Sequence, residues 1–170
     1  MNLKDYVREI RDFPIPGILF RDITTVLQDP VALRASVDDM AGLVADVEFD
    51  AVLGPESRGF IFGMPLAYNL GKGFVPVRKQ GKLPAETQKI EYYLEYGTAV
   101  IEIHKDAVTP GKRFLLVDDL LATGGTAKAA VELVRQMGGV IVAHVFFIEL
   151  AELKGRDCLE GQDVRSLLIY

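Results

Sequence analysis

A single cysteine, Cys158, is all the thiol the 170 residues contain, which excludes an internal disulfide and any cysteine-based zinc cage. No motif surrounds it, so it reads as a structural thiol without a role. Long apolar runs are missing too. No stretch approaches the ~18 uninterrupted apolar residues of a membrane span, and Met1-Asn2-Leu3-Lys4-Asp5 lacks a secretory hydrophobic region. The expected setting is therefore the cytoplasm, with no membrane partner. Positive charge is in deficit: 19 Lys and Arg against 24 Asp and Glu give a formal charge of -5 and a pI near 5.1. That balance argues against a nucleic-acid surface, although a local basic cluster can still hold a small polyanion. Two phosphate-binding signatures are also absent. Neither Gly-x-x-x-x-Gly-Lys-Ser/Thr nor Gly-x-Gly-x-x-Gly occurs, which removes P-loop NTPases and dinucleotide-binding units. Internal repeats, low-complexity tracts and an interdomain linker are missing as well. With 49% hydrophobic and 25% charged residues, one domain over 1–170 is expected.

Helical and strand patterns alternate in the way that builds a parallel sheet. Asp29-Pro30 reads as an N-cap with proline at the first helical position, and Leu33, Val37, Met40 and Val44 recur at helical spacing to about Ala45. Ala51–Leu53 reads as a strand, followed by a helix from Phe60 to near Gly71 and a strand over Phe74–Val77. A second unit joins strand Phe114–Val117 to a helix over about Thr126–Met137, stopped by Gly138-Gly139, and then to strand Val140–Ile148. The polar connection Val77–Gly97 reads as a lid, and the remaining ends read as appendages. His144 and His104 read as strand residues without a catalytic role.

The most informative stretch is Leu115-Leu116-Val117-Asp118-Asp119-Leu120-Leu121-Ala122-Thr123-Gly124-Gly125-Thr126. An apolar strand suited to a parallel sheet ends in two carboxylates, and a small-residue loop then frees backbone N–H groups to cradle a phosphate at a helix start. Ligands of open α/β sheets bind at such strand ends, so Asp118 and Asp119, at an exposed strand end, face substrate hydroxyls or a metal. Arg58, after strand Ala51–Leu53, belongs to the same edge. A phospho-acceptor signalling domain also groups carboxylates there, but has no need of Thr-Gly-Gly-Thr directly behind them.

This segment resembles the signature of the type I phosphoribosyltransferases. Phe13-Pro14-x-Pro16-Gly17-x-x-Phe20-Arg21-Asp22, Ser57-Arg58-Gly59-Phe60, Arg78-Lys79-x-Gly81-Lys82-Leu83-Pro84 and Leu94-Glu95-Tyr96-Gly97 extend the likeness, in order, to the adenine-using branch of that family. The resemblance implies an α/β fold with a central, mostly parallel sheet flanked by helices. A small hood, to which about residues 1–30 contribute, and a mobile loop complete it. It also implies a reaction in which 5-phosphoribosyl 1-diphosphate (PRPP) and adenine give AMP and diphosphate, with magnesium as cofactor and a homodimer as the assembly.

Carried over position by position, the pattern gives Ala122, Thr123, Gly124, Gly125 and Thr126 to the 5-phosphate and Asp118 and Asp119 to the ribose. Ser57, Arg58, Arg78, Lys79 and Lys82 fall to the diphosphate. Leu19, Phe20 and Arg21 would hold adenine, Phe20 by stacking and its neighbours through backbone atoms. Glu95 would assist proton transfer, and Tyr96 would close over the reaction centre; the bland alternative is that both pave a β-hairpin. Magnesium would be held mainly by substrate oxygens, without a dedicated protein cage. Gln80 stands where some relatives carry a further basic residue. Relatives acting on 6-oxopurines typically carry Asp where this chain has Ala122, so adenine is the expected base. A 6-oxopurine enzyme and a non-catalytic PRPP sensor are the alternatives; the second commonly adds a DNA-binding domain, for which this acidic chain has no basic helix.

Overall fold

The computed structural model describes residues 1–94 and 97–170. Two compact units make up the chain, Met1–Asp39 and Met40–Tyr170.

In the first unit an antiparallel hairpin joins β1 (Arg8–Arg11) to β2 (Leu19–Asp22), and helix α1 (Thr24–Gln28) and the greater part of α2 (Pro30–Leu43) follow. The Asp-Pro reading of the α2 start holds. Asp29 Oδ1 accepts the N–H groups of Val31 and Ala32 at 2.9 and 2.8 Å, satisfying donors that a helix start leaves free. Asp22 closes β2. Its carboxylate accepts the N–H of Thr24 at 2.9 Å and the Nε of Arg8 at 2.9 Å, bonds that hold it below the usual carboxylate range despite its burial.

The second unit contains β3 (Ala51–Pro55), α3 (Arg58–Asn69), β4 (Gly73–Lys79), β5 (Thr87–Tyr93), β6 (Thr98–His104), β7 (Arg113–Leu121), α4 (Gly125–Gln136), β8 (Val140–Glu149) and β9 (Val164–Ile169). They form one seven-stranded sheet in the order β5-β6-β4-β3-β7-β8-β9. Pairings from β4 through β9 are parallel, and β6 is antiparallel to both β4 and β5. Both predicted βαβ units are present, β3-α3-β4 and β7-α4-β8. Strands covered on both faces must be apolar throughout, and β3 is buried at all five positions while Phe114 to Val117 of β7 are fully buried. Ala127, Ala130, Leu133 and Val134 recur on one face of α4 and join that core. Each large side chain so buried contributes about 1.5–3 kcal/mol. Among the described residues no helix is long and apolar enough to cross a membrane.

Three expectations are corrected. Strand β7 does not stop before the acids but pairs with β8 as far as Leu121↔Glu149, so Asp119 is only 7% exposed rather than at an exposed strand end. Val77–Gly97 is not simply a lid: β4 runs on to Lys79, and Thr87–Tyr93 is β5, paired residue for residue with β6. Four of its seven side chains, Thr87, Gln88, Lys89 and Glu91, are polar, which hid that strand, because an edge strand needs little apolar content. The C-terminal end is no appendage either, since β9 adds the last parallel strand beside β8.

His144 lies in β8, completely buried, with Nε2 3.5 Å from Gln162 Oε1 and Nδ1 without a hydrogen-bond partner among the described residues. Burial disfavours the imidazolium and lowers its pKa from 6.5 to about 4. The unfolded chain therefore binds a proton before the folded one does, and stability falls as pH drops from about 6.5 towards 4. At about 1.4 kcal/mol per pH unit, the full loss is of the order of 3 kcal/mol. Burial raises Asp118 and Asp119, which works in the opposite direction, so a difference measurement is needed. Denaturant unfolding of the wild type and of His144→Leu at pH 7 and pH 4.5 is expected to show the variant losing markedly less stability on acidification. Equal losses would contradict this account.

Candidate active site

Parallel strands β3, β4 and β7 deliver their C-terminal ends to one edge of the sheet, where open α/β sheets place ligands. Two cavities of about 410 Å³ each lie there. The first is lined by the whole predicted phosphate loop, Ala122, Thr123, Gly124, Gly125 and Thr126, together with Asp118, Leu120, Tyr93, Leu94, Phe146 and Cys158. The second is lined by Pro55, Glu56, Ser57, Arg58, Lys79, Asp119, and again Asp118, Leu120 and Thr126. Asp118, Leu120 and Thr126 therefore line both cavities.

The loop owes its shape to two close approaches. Gly124 has φ +83°, a left-handed conformation that suits glycine, and a Cβ there would strike the carbonyl oxygen of Gly155. Gly155 is itself buried against the loop, since a Cβ on it would lie 2.8 Å from Leu121 Cδ1 and overlap the carbonyl oxygen of Ala122. A short 3₁₀ helix over Gly155–Leu159 thus forms the floor of the cradle. Arg156 fastens it through a two-pronged pair with Glu149, at 2.7 Å for each bond. Behind the loop α4 begins, and the first-turn N–H groups of a helix have no intrahelical acceptor. Residues Gly125, Thr126 and Ala127 of that turn line the cavity.

The acid pair is electrostatically loaded. Burial pushes Asp118 well up, and the Asp119 charge beside it adds to the shift. Burial also raises Asp119, against the opposing pull of Arg58, whose Nε lies 2.7 Å from Asp119 Oδ2. Arg58 opens α3 and keeps 44% of its side chain exposed, so it offers a solvent-facing cation over a buried anion. Lys79 lines the second cavity directly. Arg78 lines a smaller adjoining cavity of about 120 Å³ with Glu56, Lys79, Tyr92 and Thr126. Lys82 lines none of these three cavities.

Leu19, Phe20 and Arg21 all lie on β2 of the first unit. Phe20 packs edge-to-face on Phe13 with ring centres 5.1 Å apart, and Arg21 pairs with Glu9. Glu95 and Tyr96 lie outside the described residues. Among the described residues no cluster of three or more His, Cys, Asp or Glu side chains is arranged to hold a metal.

Four participants were not foreseen. Glu56 Oε1 accepts the N–H of Lys79 at 2.6 Å and sits 3.4 Å from Arg78 Nε. Tyr92 OH meets Thr126 Oγ1 at 3.2 Å, linking β5 to the phosphate loop. Gly155 packs against the loop backbone, and Glu102 Oε1 accepts the N–H groups of Gly81, Lys82 and Leu83. Only Glu102 left a signal: a lone acid inside the apolar run Val100-Ile101-Glu102-Ile103 demands a buried partner.

Residues 27–164 match the model of the phosphoribosyl transferase domain family. The adenine phosphoribosyltransferase of Clostridium perfringens is 58% identical over 170 residues, covering 100% of this chain and 99% of its own length. The chain belongs to the adenine phosphoribosyltransferase family. The solved structure of the family member from Thermoanaerobacter pseudethanolicus superposes with a TM-score of 0.96 at 54% identity, covering 99% of this chain and 98% of the other. That of Saccharomyces cerevisiae, complexed with D-2,5-dideoxy-2,5-imino-altritol 1,6-bisphosphate and adenine, superposes with a TM-score of 0.91 at 42% identity over 98% of this chain and 96% of the other. The type I phosphoribosyltransferase fold expected from the sequence is the fold observed.

Proposed function

We propose that this chain transfers the 5-phosphoribosyl group of PRPP to N9 of adenine, giving AMP and diphosphate, in purine salvage. The observation that carries this reading is the pair of adjoining cavities sharing Asp118 and Thr126. One is a backbone cradle for a monophosphate, the other a chamber with Arg58 and Lys79 for a diphosphate, and the acid pair lies where the ribose between them would sit.

In the reaction the bond from ribose C1 to a diphosphate oxygen breaks, the C1–N9 bond forms, and adenine gives up a proton. Charge separates as C1 becomes oxocarbenium-like and diphosphate departs as an anion. Ala122, Thr123, Gly124, Gly125 and Thr126 anchor the 5-phosphate. Asp118 and Asp119 orient the ribose hydroxyls and offset the positive charge at C1, while Ser57, Arg58, Arg78 and Lys79 stabilise the leaving group. Lys82 is the further diphosphate contact of this reading. Leu19, Phe20 and Arg21 hold the base. Glu95 takes the proton, and Tyr96 closes the site against water that would hydrolyse the activated sugar.

Two carboxylates loaded by burial favour a nearby cation, so the acid pair suits magnesium carried in by substrate oxygens; Asp118, which lines both cavities, would help to hold it. When bound, the ion neutralises diphosphate charge and orients it. A cytoplasmic homodimer is the assembly proposed, without nucleic-acid or membrane partners.

Ala122 supports adenine over 6-oxopurines, since a base bearing a 6-oxo group would find no carboxylate there, and the names of the relatives favour the same choice. Purified protein supplied with PRPP, magnesium and one nucleobase at a time should form nucleotide with adenine and none with hypoxanthine or guanine. Turnover of the latter two without adenine would overturn the base assignment, and donor binding without any turnover would favour the sensor.

A further inference from the structure

Glu102 is 3% exposed in the interior of the second unit, yet among the described residues no salt bridge pairs its carboxylate with a cation. Its Oε1 accepts three consecutive backbone N–H groups, those of Gly81, Lys82 and Leu83, at 3.0, 3.1 and 3.1 Å. Its other oxygen, Oε2, accepts the hydroxyl of Thr87 at 3.3 Å. Successive amides converging on one anion form a nest of the kind that elsewhere binds free anions, and here the anion is built into the chain. The nest lies in the turn between β4 and β5, next to Arg78 and Lys79. Across the sheet Glu102 is the register partner of Arg78 on one side and of Lys89 on the other.

We infer that Glu102 is a positioning residue for the diphosphate end of the site. This rests on the reading that Arg78 and Lys79 hold diphosphate. A turn rich in Lys, Gln and Gly has little apolar content to pin it, and its basic side chains repel one another. A buried carboxylate accepting four hydrogen bonds supplies the missing constraint. Each bond to a charged acceptor is individually stronger than a neutral one. Glu56 fixes the start of the turn through the N–H of Lys79, and Glu102 fixes its middle and end. With Glu102 removed, three consecutive backbone N–H groups lose their acceptor and the turn relaxes, so Arg78 and Lys79 no longer meet the leaving group in a set geometry. The phosphate loop, between β7 and α4, makes none of the four hydrogen bonds to Glu102.

The test is a comparison of Glu102→Ala and Glu102→Gln with the wild type in steady-state kinetics and in calorimetric binding of diphosphate and of AMP. For Glu102→Ala the expected result is a KM for PRPP and a Kd for diphosphate raised about tenfold, the equivalent of one strong polar interaction. The KM for adenine and the Kd for AMP should stay within about twofold, a spread expected for contacts left intact. Glu102→Gln keeps an acceptor oxygen for the nest and should recover most of the loss. It also stands in if the alanine variant does not fold, and should then show a smaller but selective rise for diphosphate. A folded variant with unchanged diphosphate affinity, or with AMP affinity lost in proportion, would overturn the inference. An inactive wild type would instead overturn the functional reading, so the two failures are distinct.

Discussion

Gly124→Val is expected to abolish turnover, with kcat/KM falling by at least about three orders of magnitude, the scale seen when a preorganised anion-stabilising element is lost. Two independent penalties combine. The native φ of +83° is open to glycine but strained for a β-branched residue, which costs of the order of 1–3 kcal/mol. The side chain would also collide with the Gly155 carbonyl and lie, at its Cβ, 3.1 Å from Cys158 Cβ. Neither neighbour can retreat easily. Gly155 is wedged against Leu121 and the Ala122 carbonyl, and Arg156 ties its helix to Glu149. The loop must therefore move away from its floor, and its N–H groups lose their convergence on one phosphate. Calorimetry with PRPP and with AMP should show no binding of either. Affinity for PRPP within a few-fold of wild type would refute the cradle.

Asp119→Asn should lower kcat/KM by about 10²–10³-fold while changing unfolding stability by less than about 1 kcal/mol. The reasoning differs from that for a surface residue, because Asp119 is buried. Removing its charge relieves repulsion on Asp118 and ends a desolvation cost, which offsets the loss of its bond to Arg58. Arg58 is nearly half exposed, so its freed charge is solvated at little cost. What is lost is the negative field at the ribose and the tether that aims Arg58. Because the Asp119 charge helps to raise Asp118, the acid limb of the pH–activity profile should move to lower pH. Unchanged kinetics would eliminate the ribose role, and a stability loss above about 3 kcal/mol would recast the residue as structural.

Much of the site was legible because its chemistry is local. Strand, acids, loop and helix start occupy the unbroken run from Leu115 to Thr126, and hydrophobic period together with small residues announces each piece. Arg58 was legible for a related reason: a residue just beyond an apolar parallel strand must emerge at the same sheet edge as the one beyond its neighbour. The second cavity, lined by Ser57, Arg58 and Lys79 together with Asp118 and Asp119, is that rule realised.

Other features depended on distance in the chain. Gly155 lies 33 residues beyond Ala122, and nothing in either neighbourhood states that their backbones touch. Strand β5 was read as part of a lid because Thr87–Tyr93 is half polar, as edge strands generally are. The burial of Asp119 was missed since β7 continues past its apolar run, carried by pairing to β8 that only the sheet supplies. Lys82, grouped with the other basic residues by proximity in sequence, stands apart from the cavities.

The sequence alone determined the class of chemistry and the base to be expected, through the acid pair, the Thr-Gly-Gly-Thr loop and the alanine at 122. These are properties of residue type at short spacing, and physical chemistry reads them without coordinates. Tertiary structure decided what makes the residues act as a site: the Gly155 floor under the loop, the burial that raises Asp118 and Asp119, and the nest on Glu102 that sets the basic turn. Those depend on which distant backbone segments approach one another, and that is settled by packing the whole sheet.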